Sequence, residues 1–248
     1  MRLLLVRGLC YPCNEKVFNV KTPTVLAGHS LGEYTALVAA GSLDFADAVR
    51  LVRLRAQLMQ TAVPVGEGAM AAVLGLSDAD VKAVCAEAAQ GEVVEAVNFN
   101  ATGQVVIAGQ TEAVNRAMAL AKEKGAKRAL PLPVSVPAHS SLLKGASEQL
   151  AAALAEVTVN PPAIRVIHNA DVASFAAPQD IKAALVRQLY SPVLWTDTVN
   201  LLAEEGVTVA AECGPGKVLA GLCKRINDQV KCTALVKAED LVAFIDAQ

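Results

Sequence analysis

The chain has 248 residues, a length for one or two domains. Its 22 Lys and Arg against 24 Asp and Glu leave a net charge of −2 at pH 7, which argues against a dedicated nucleic-acid binder. Hydrophobic residues make up 54% and charged residues 19%, which excludes a disordered chain, and with aromatics at 4% the core has to be aliphatic and Ala-rich.

No apolar run approaches the ~18 residues of a membrane span. The run Leu3-Leu4-Leu5-Val6 is too short for a signal-peptide core and is followed by Arg7. The expectation is a cytoplasmic protein with no membrane partner.

Taken in chain order, hydrophobic periodicity predicts strands at 3–6 and 24–28, then helices at 33–40 and 44–62. Strand 69–75, helix 78–89, strands 93–99 and 104–109, helix 112–124 and strand 129–134 follow. The last part reads as helix 142–155, strand 164–168, helices 179–189 and 193–205, strand 207–212, helix 217–226 and strand 233–236. Ser77 suits an N-cap, and Pro178 and Pro192 suit first helical positions. On helix 44–62 the apolar spacing predicts a core stripe of Phe45, Val49, Val52, Ala56 and Met59.

Between 69 and 134 the order is strand, helix, strand, strand, helix, strand, the ferredoxin-like βαββαβ pattern. Turn-rich flanks, Pro64-Val65-Gly66-Glu67-Gly68 before it and Pro131 to Pro137 after it, suit crossings between domains. Outside it, strands and helices alternate, which predicts a mostly parallel α/β sheet. The expected division is a larger α/β subdomain of residues 1–63 and 136–248, with a ferredoxin-like subdomain inserted at 64–135.

Six cysteines, Cys10, Cys13, Cys85, Cys213, Cys223 and Cys232, are dispersed and do not form a disulfide framework. Cys10-Tyr11-Pro12-Cys13 has redox or metal spacing. It lacks the second pair that zinc wants and the following helix that a thioredoxin-like site wants, so both read as ordinary thiols.

The strongest local signal is Gly28-His29-Ser30-Leu31-Gly32, between a short apolar strand and a helical run. That is the pattern of a nucleophile elbow, where a serine in a strained turn is flanked by glycines because side chains there would clash. The helix that follows offers its N-terminal amides and dipole to an oxyanion. Such a serine needs a base. His29 adjoins it but points away; His168 ends a strand and suits a structural role or a base; His139 sits where the chain leaves the insertion and reads equally as base or loop histidine. Arg55 lies near the apolar stripe of its helix, and helix geometry favours a guanidinium that snorkels to solvent over one paired with a carboxylate. Gly214-Pro215-Gly216-Lys217 reads as a tight turn. Lys122, Lys124, Lys127 and Arg128, with Lys224 and Arg225, read as solvated faces, or as a docking patch for an acidic partner.

Together these segments resemble the malonyl-CoA:acyl carrier protein transacylase family of bacterial fatty-acid synthesis. The likeness is carried, in order and at the family's spacing, by Gly28-His29-Ser30-Leu31-Gly32-Glu33-Tyr34, Arg55, Gly68-Ala69-Met70-Ala71-Ala72-Val73, Val97-Asn98-Phe99-Asn100, Pro133-Val134-Ser135-Val136-Pro137-Ala138-His139 and Gly214-Pro215-Gly216-Lys217. It implies an α/β-hydrolase-like subdomain carrying the ferredoxin-like insertion. It also implies ping-pong transfer of malonyl from malonyl-CoA to the phosphopantetheine thiol of acyl carrier protein, by a monomer with no cofactor beyond the CoA thioester substrate.

By the resemblance, Ser30 is the nucleophile and His139 the general base and acid. A backbone carbonyl at Gln188 orients the histidine, Arg55 pairs with the free malonyl carboxylate, and the Leu31 amide is one oxyanion donor. The family opens with a further strand and a glutamine-bearing loop that supplies a second donor, and residues 1–20 do not match that segment. The run Met1 to Val6 is the one candidate to stand in for the strand, and loss of one donor would cost roughly 2.7–4 kcal/mol. Two alternatives therefore stand beside the transferase: an inactive or weakly active truncated remnant, and a serine esterase or thioesterase.

Overall fold

The computed structural model describes residues 2–6, 22–134 and 136–246. Cys10 and Cys13 lie outside the described residues.

Short aliphatic runs form a parallel sheet from β1 (Arg2–Val6), β2 (Val25–Gly28), β7 (Arg165–Ile167), β8 (Val209–Cys213) and β9 (Lys231–Leu235), in the order β7-β2-β1-β8-β9. All four pairings are parallel. β1 occupies the centre, with Leu3 opposite Val25 on one side and Ala210 on the other. The first residues thus supply the strand the sequence left in question. All of β2 is buried, as expected of a strand covered on both faces.

The chain divides into two units. The first comprises Met1–Val52, Val157–Lys182 and Asp197–Gln248, and the second Arg53–Glu156 and Ala183–Thr196. The first holds the parallel sheet and helices α1 (Gly32–Ala39), α8 (Val218–Ile226) and α9 (Ala238–Asp246). Helix α9 was not foreseen: none of its residues is buried, so its apolar side chains make no core stripe to read.

In the second unit, β3 (Gly68–Leu74), α3 (Asp78–Ala89), β4 (Val94–Ala101), β5 (Gln104–Gln110), α4 (Thr111–Glu123) and β6 (Arg128–Pro131) make an antiparallel sheet ordered β4-β5-β3-β6. That order and orientation are the ferredoxin-like arrangement expected. Alternation places Val73, Val105 and Ile107 in one core with the α3 and α4 residues Val81, Val84 and Val114, while Met70, Val97, Val106 and Ala108 pack on the opposite face. Ser77 caps α3, its Oγ accepting from the Asp80 amide at 3.1 Å.

Three expectations are corrected. β6 ends at Pro131 rather than 134: Leu132 N still donates to Met70 O (2.9 Å), but Pro133 lacks the N–H that a ladder needs to continue. Pro192 does not open a helix: α7 spans Trp195–Glu204. Val193 instead bridges β4, donating to Val97 O (2.9 Å) and accepting from Phe99 N (3.0 Å).

The buried line of α2 (Phe45–Thr61) is Ala48, Leu51, Arg55 and Leu58, whereas Phe45 and Val49 are 38% and 40% exposed. Two apolar stripes compete on this helix, and the one with the leucines is buried. No described helix is long and apolar enough to cross a membrane.

Candidate active site

The elbow follows from local sequence. β2 delivers the chain to Gly28, where a Cβ would lie 2.0 Å from the backbone C and O of Gly32 and 2.5 Å from the Glu33 amide, so only hydrogen fits. The turn then forces Ser30 to φ +53°, a region non-glycine residues seldom occupy. The amides of Gly32, Glu33 and Tyr34 close on the carbonyls of His29, Ser30 and Leu31 and start α1, whose N-cap is Leu31. The strained serine therefore stands at the positive end of a helix.

A buried polar cluster of the same unit surrounds this turn. The Ser30 amide donates to Asn169 Oδ1 (2.6 Å), and Asn169 Nδ2 donates to Gly28 O (2.7 Å). Glu33 accepts from the Asn169 amide (2.9 Å) and pairs with His168 Nδ1 (2.7 Å). Glu33, His168 and Asn169 are all buried. His168 takes the structural one of its two readings: its Nδ1 is committed to a carboxylate, and its ring packs 5.3 Å from Phe175.

The second unit gathers three of the singled-out residues. His139, in the loop after β6, has φ +64° and is 3% exposed. Its Nδ1 lies 2.7 Å from the backbone O of Gln188, on α6 (Pro178–Tyr190). A carbonyl can only accept, so Nδ1 carries the hydrogen and the neutral ring presents Nε2 as acceptor. The Gln188 side chain is used as well: its Oε1 accepts from Arg55 Nη2 at 3.1 Å. Arg55 is 5% exposed, which overturns the expectation that it reaches solvent. The guanidinium takes a core position of α2 beside a neutral amide.

The start of the helix after His139 is also pinned. Glu95 accepts from Ser141 N and Oγ, both at 2.8 Å, so a carboxylate caps the turn Ser141–Leu143 ahead of α5 (Lys144–Ala155). His139, Ser141 and Glu95 share an open cleft of about 430 Å³ with Lys82, Cys85 and Tyr190. Burial, and then the Glu95 charge, push the Cys85 thiol up to about 12. In the first unit, a hydrogen bond with Cys223 followed by burial raises Cys232.

Ser30 and Leu31 thus belong to the first unit, while Arg55, His139 and Gln188 meet in the second. Sequence reasoning missed the brace of Glu33 and Asn169, although a His-Asn pair closing a strand of an aliphatic sheet was a visible signal. It also missed the Glu95 cap, which no local pattern marks. Lys122, Lys124, Lys127 and Arg128 are exposed, and Lys124 pairs with Glu87.

Comparison with known proteins agrees in sequence and in fold. Residues 20–242 match the family model described as acyl transferase domain. The chain is 56% identical to the malonyl CoA-acyl carrier protein transacylase of Haemophilus influenzae over 242 residues, 98% of this chain and 77% of the relative. It is similar, at 56% identity and a TM-score of 0.91, to the crystal structure of an acyl carrier protein S-malonyltransferase from Vibrio cholerae, covering 93% of this chain and 75% of that one. A structure of a type II PKS acyl-carrier protein in complex with its malonyl-transacylase is similar at 49% identity and a TM-score of 0.92, covering 94% of this chain and 75% of that one.

Proposed function

The chain belongs to the malonyl-CoA:acyl carrier protein transacylase family, and we propose that Ser30, His139, Arg55, Gln188 and the Leu31 amide carry that family's reaction here. The activity is transfer of a malonyl group from malonyl-CoA to the phosphopantetheine thiol of acyl carrier protein, in fatty-acid synthesis.

The Ser30 Oγ attacks the thioester carbonyl while its proton passes to His139 Nε2. The oxyanion of the tetrahedral intermediate takes the Leu31 amide at the start of α1. Collapse breaks the C–S bond, and the proton returns from Nε2 to the departing CoA sulfur. In the second half the carrier's thiol gives its proton to Nε2, attacks the malonyl ester, and releases Ser30 with its proton restored. The free malonyl carboxylate pairs with the Arg55 guanidinium, whose planar fork suits it. The enzyme works as a cytoplasmic monomer, with the α/β subdomain at 1–63 and 136–248 and the ferredoxin-like one at 64–135.

The observation that carries this reading is the buried Arg55 held by the same Gln188 whose backbone anchors His139. A guanidinium in a core position suits an anionic acyl group and is an unfavourable neighbour for a plain ester. That favours a malonyl transferase over an esterase. The test is transfer itself: incubation with malonyl-CoA and holo acyl carrier protein is expected to yield malonyl-carrier protein, faster than malonyl-CoA hydrolysis. Hydrolysis without transfer would make the chain a thioesterase, and neither activity in a cooperatively folded protein would make it a remnant.

A further inference from the structure

A serine at φ +53° persists only where its surroundings over-determine it. Gly28 removes the clash but does not hold the turn, since an absent side chain makes no bond. The holding group comes from far along the chain. One planar amide, that of Asn169, spans the elbow on both sides of His29: Nδ2 donates to Gly28 O and Oδ1 accepts from Ser30 N. The spacing between carbonyl 28 and amide 30 is thereby set by the rigid geometry of a single side chain.

Asn169 is itself fixed. Its own amide donates to Glu33 Oε2, and the other oxygen of that carboxylate is held by His168 Nδ1. Glu33 sits in the first turn of α1, the helix that begins immediately after Ser30. The bonds therefore close a ring from Ser30 through Asn169 and Glu33 back to the helix that starts at the elbow. All three bracing residues are excluded from water, where hydrogen bonds are least exchangeable.

We infer that Asn169 is a positioning residue for the Ser30 nucleophile and that Glu33 holds Asn169 in place. The inference rests on the assignment of Ser30 as nucleophile. Asparagine is required because the site needs a donor and an acceptor on one rigid group. Aspartate keeps only the acceptor, and leucine, of similar shape, offers neither.

The experiment compares the full chain with Asn169→Leu and Asn169→Asp. Folding is read by circular dichroism, Ser30 reactivity by the rate of labelling with a fluorophosphonate, and transfer by kcat and KM for malonyl-CoA. Asn169→Leu is expected to fold, to keep KM within about twofold, and to lose about a hundredfold in both labelling rate and kcat, as a displaced nucleophile does. Asn169→Asp is expected to recover part of both losses. A folded Asn169→Leu within about threefold of the parent in labelling and kcat overturns the inference, as does a loss confined to KM.

Should Asn169→Leu not fold, the same readouts fall to Glu33→Gln, which fills the same space. It replaces the carboxylate oxygen that holds the Asn169 amide with a neutral amide oxygen, a weaker acceptor, and turns an NH₂ toward His168, whose ring takes the other tautomer, so the brace loses its charge-assisted bonds. A fall of about three- to tenfold in labelling and kcat together supports the brace, and no change overturns it. If the parent is labelled at Ser30 but transfers no malonyl, the proposed function fails while the positioning role stands. If the parent is not labelled at all, both fail.

Discussion

The Nδ1 of His139 lies 2.7 Å from the backbone carbonyl oxygen of Gln188, so an atom that any residue at position 188 would supply holds the imidazole. The Gln188 side chain serves Arg55 instead. The two roles should separate on mutation. Gln188→Ala is expected to keep kcat within about threefold, while KM for malonyl-CoA rises about five- to tenfold through loss of one buried hydrogen bond. Steady-state kinetics check this, and an equal collapse of kcat would mean that the side chain, too, supports the base.

Arg55→Ala removes the proposed carboxylate partner. Malonyl loading is expected to fall by about a hundredfold, the worth of a buried charge-assisted pair, while acetyl loading rises. Intact-mass measurement after parallel exposure to malonyl-CoA and acetyl-CoA reads the ratio. Equal losses for both donors would remove the specificity role.

Gly28→Ala tests the elbow. With a Cβ placed 2.0 Å from the Gly32 backbone, α1 cannot keep its present approach to β2. The variant is expected to lose Ser30 labelling by a fluorophosphonate and to melt at lower temperature. Unchanged melting and labelling would show that the turn relaxes freely.

Cys85 is expected to resist alkylation. Its thiol is pushed up to about 12, first by burial and then by the Glu95 charge, so at neutral pH almost no thiolate is present to react. Iodoacetamide should leave it intact in the native protein and modify it after denaturation, as peptide mapping would show. Because burial is the larger cause, Glu95→Gln should leave the protection in place.

How much of this was legible is best judged from single residues. Gly28, Ser30 and Gly32 announce the elbow because its steric demand is local: the backbone atoms that a Cβ at Gly28 would strike belong to Gly32 and Glu33, whereas the Asn169 amide that braces the turn comes from far along the chain and left no mark on the motif. The ferredoxin-like unit was legible for the same reason: strand alternation and turn residues are local signals. Arg55 was not, because helix α2 carries two apolar stripes and nothing on it says which one faces the core. Its partner Gln188 lies on a different helix, α6, so the spacing along α2 carries no trace of it. The anchor of His139 left no side-chain signature at all, being a main-chain oxygen. The resemblance to relatives, not the spacing, singled out position 188.

The pair Arg165–Glu205 offers a pH test. The Arg165 hydrogen bond holds the Glu205 carboxyl below its ordinary value of 4.5. A depressed folded value means the stabilisation is complete above the ordinary carboxylate range and is lost as pH falls through the folded value. Both side chains are partly exposed, so the contribution is no more than about 1 kcal/mol. Glu205→Gln should lower the melting temperature slightly at neutral pH and leave it unaltered in strong acid. A constant difference at every pH would assign the effect to packing.

The nucleophile itself is open to direct observation. Brief exposure of the full chain to malonyl-CoA, followed by peptide mass spectrometry, is expected to find one malonyl group, on Ser30, and none in Ser30→Ala. A folded protein that acquires no malonyl group, or acquires it on another residue, would contradict the assignment from which every catalytic role above is drawn.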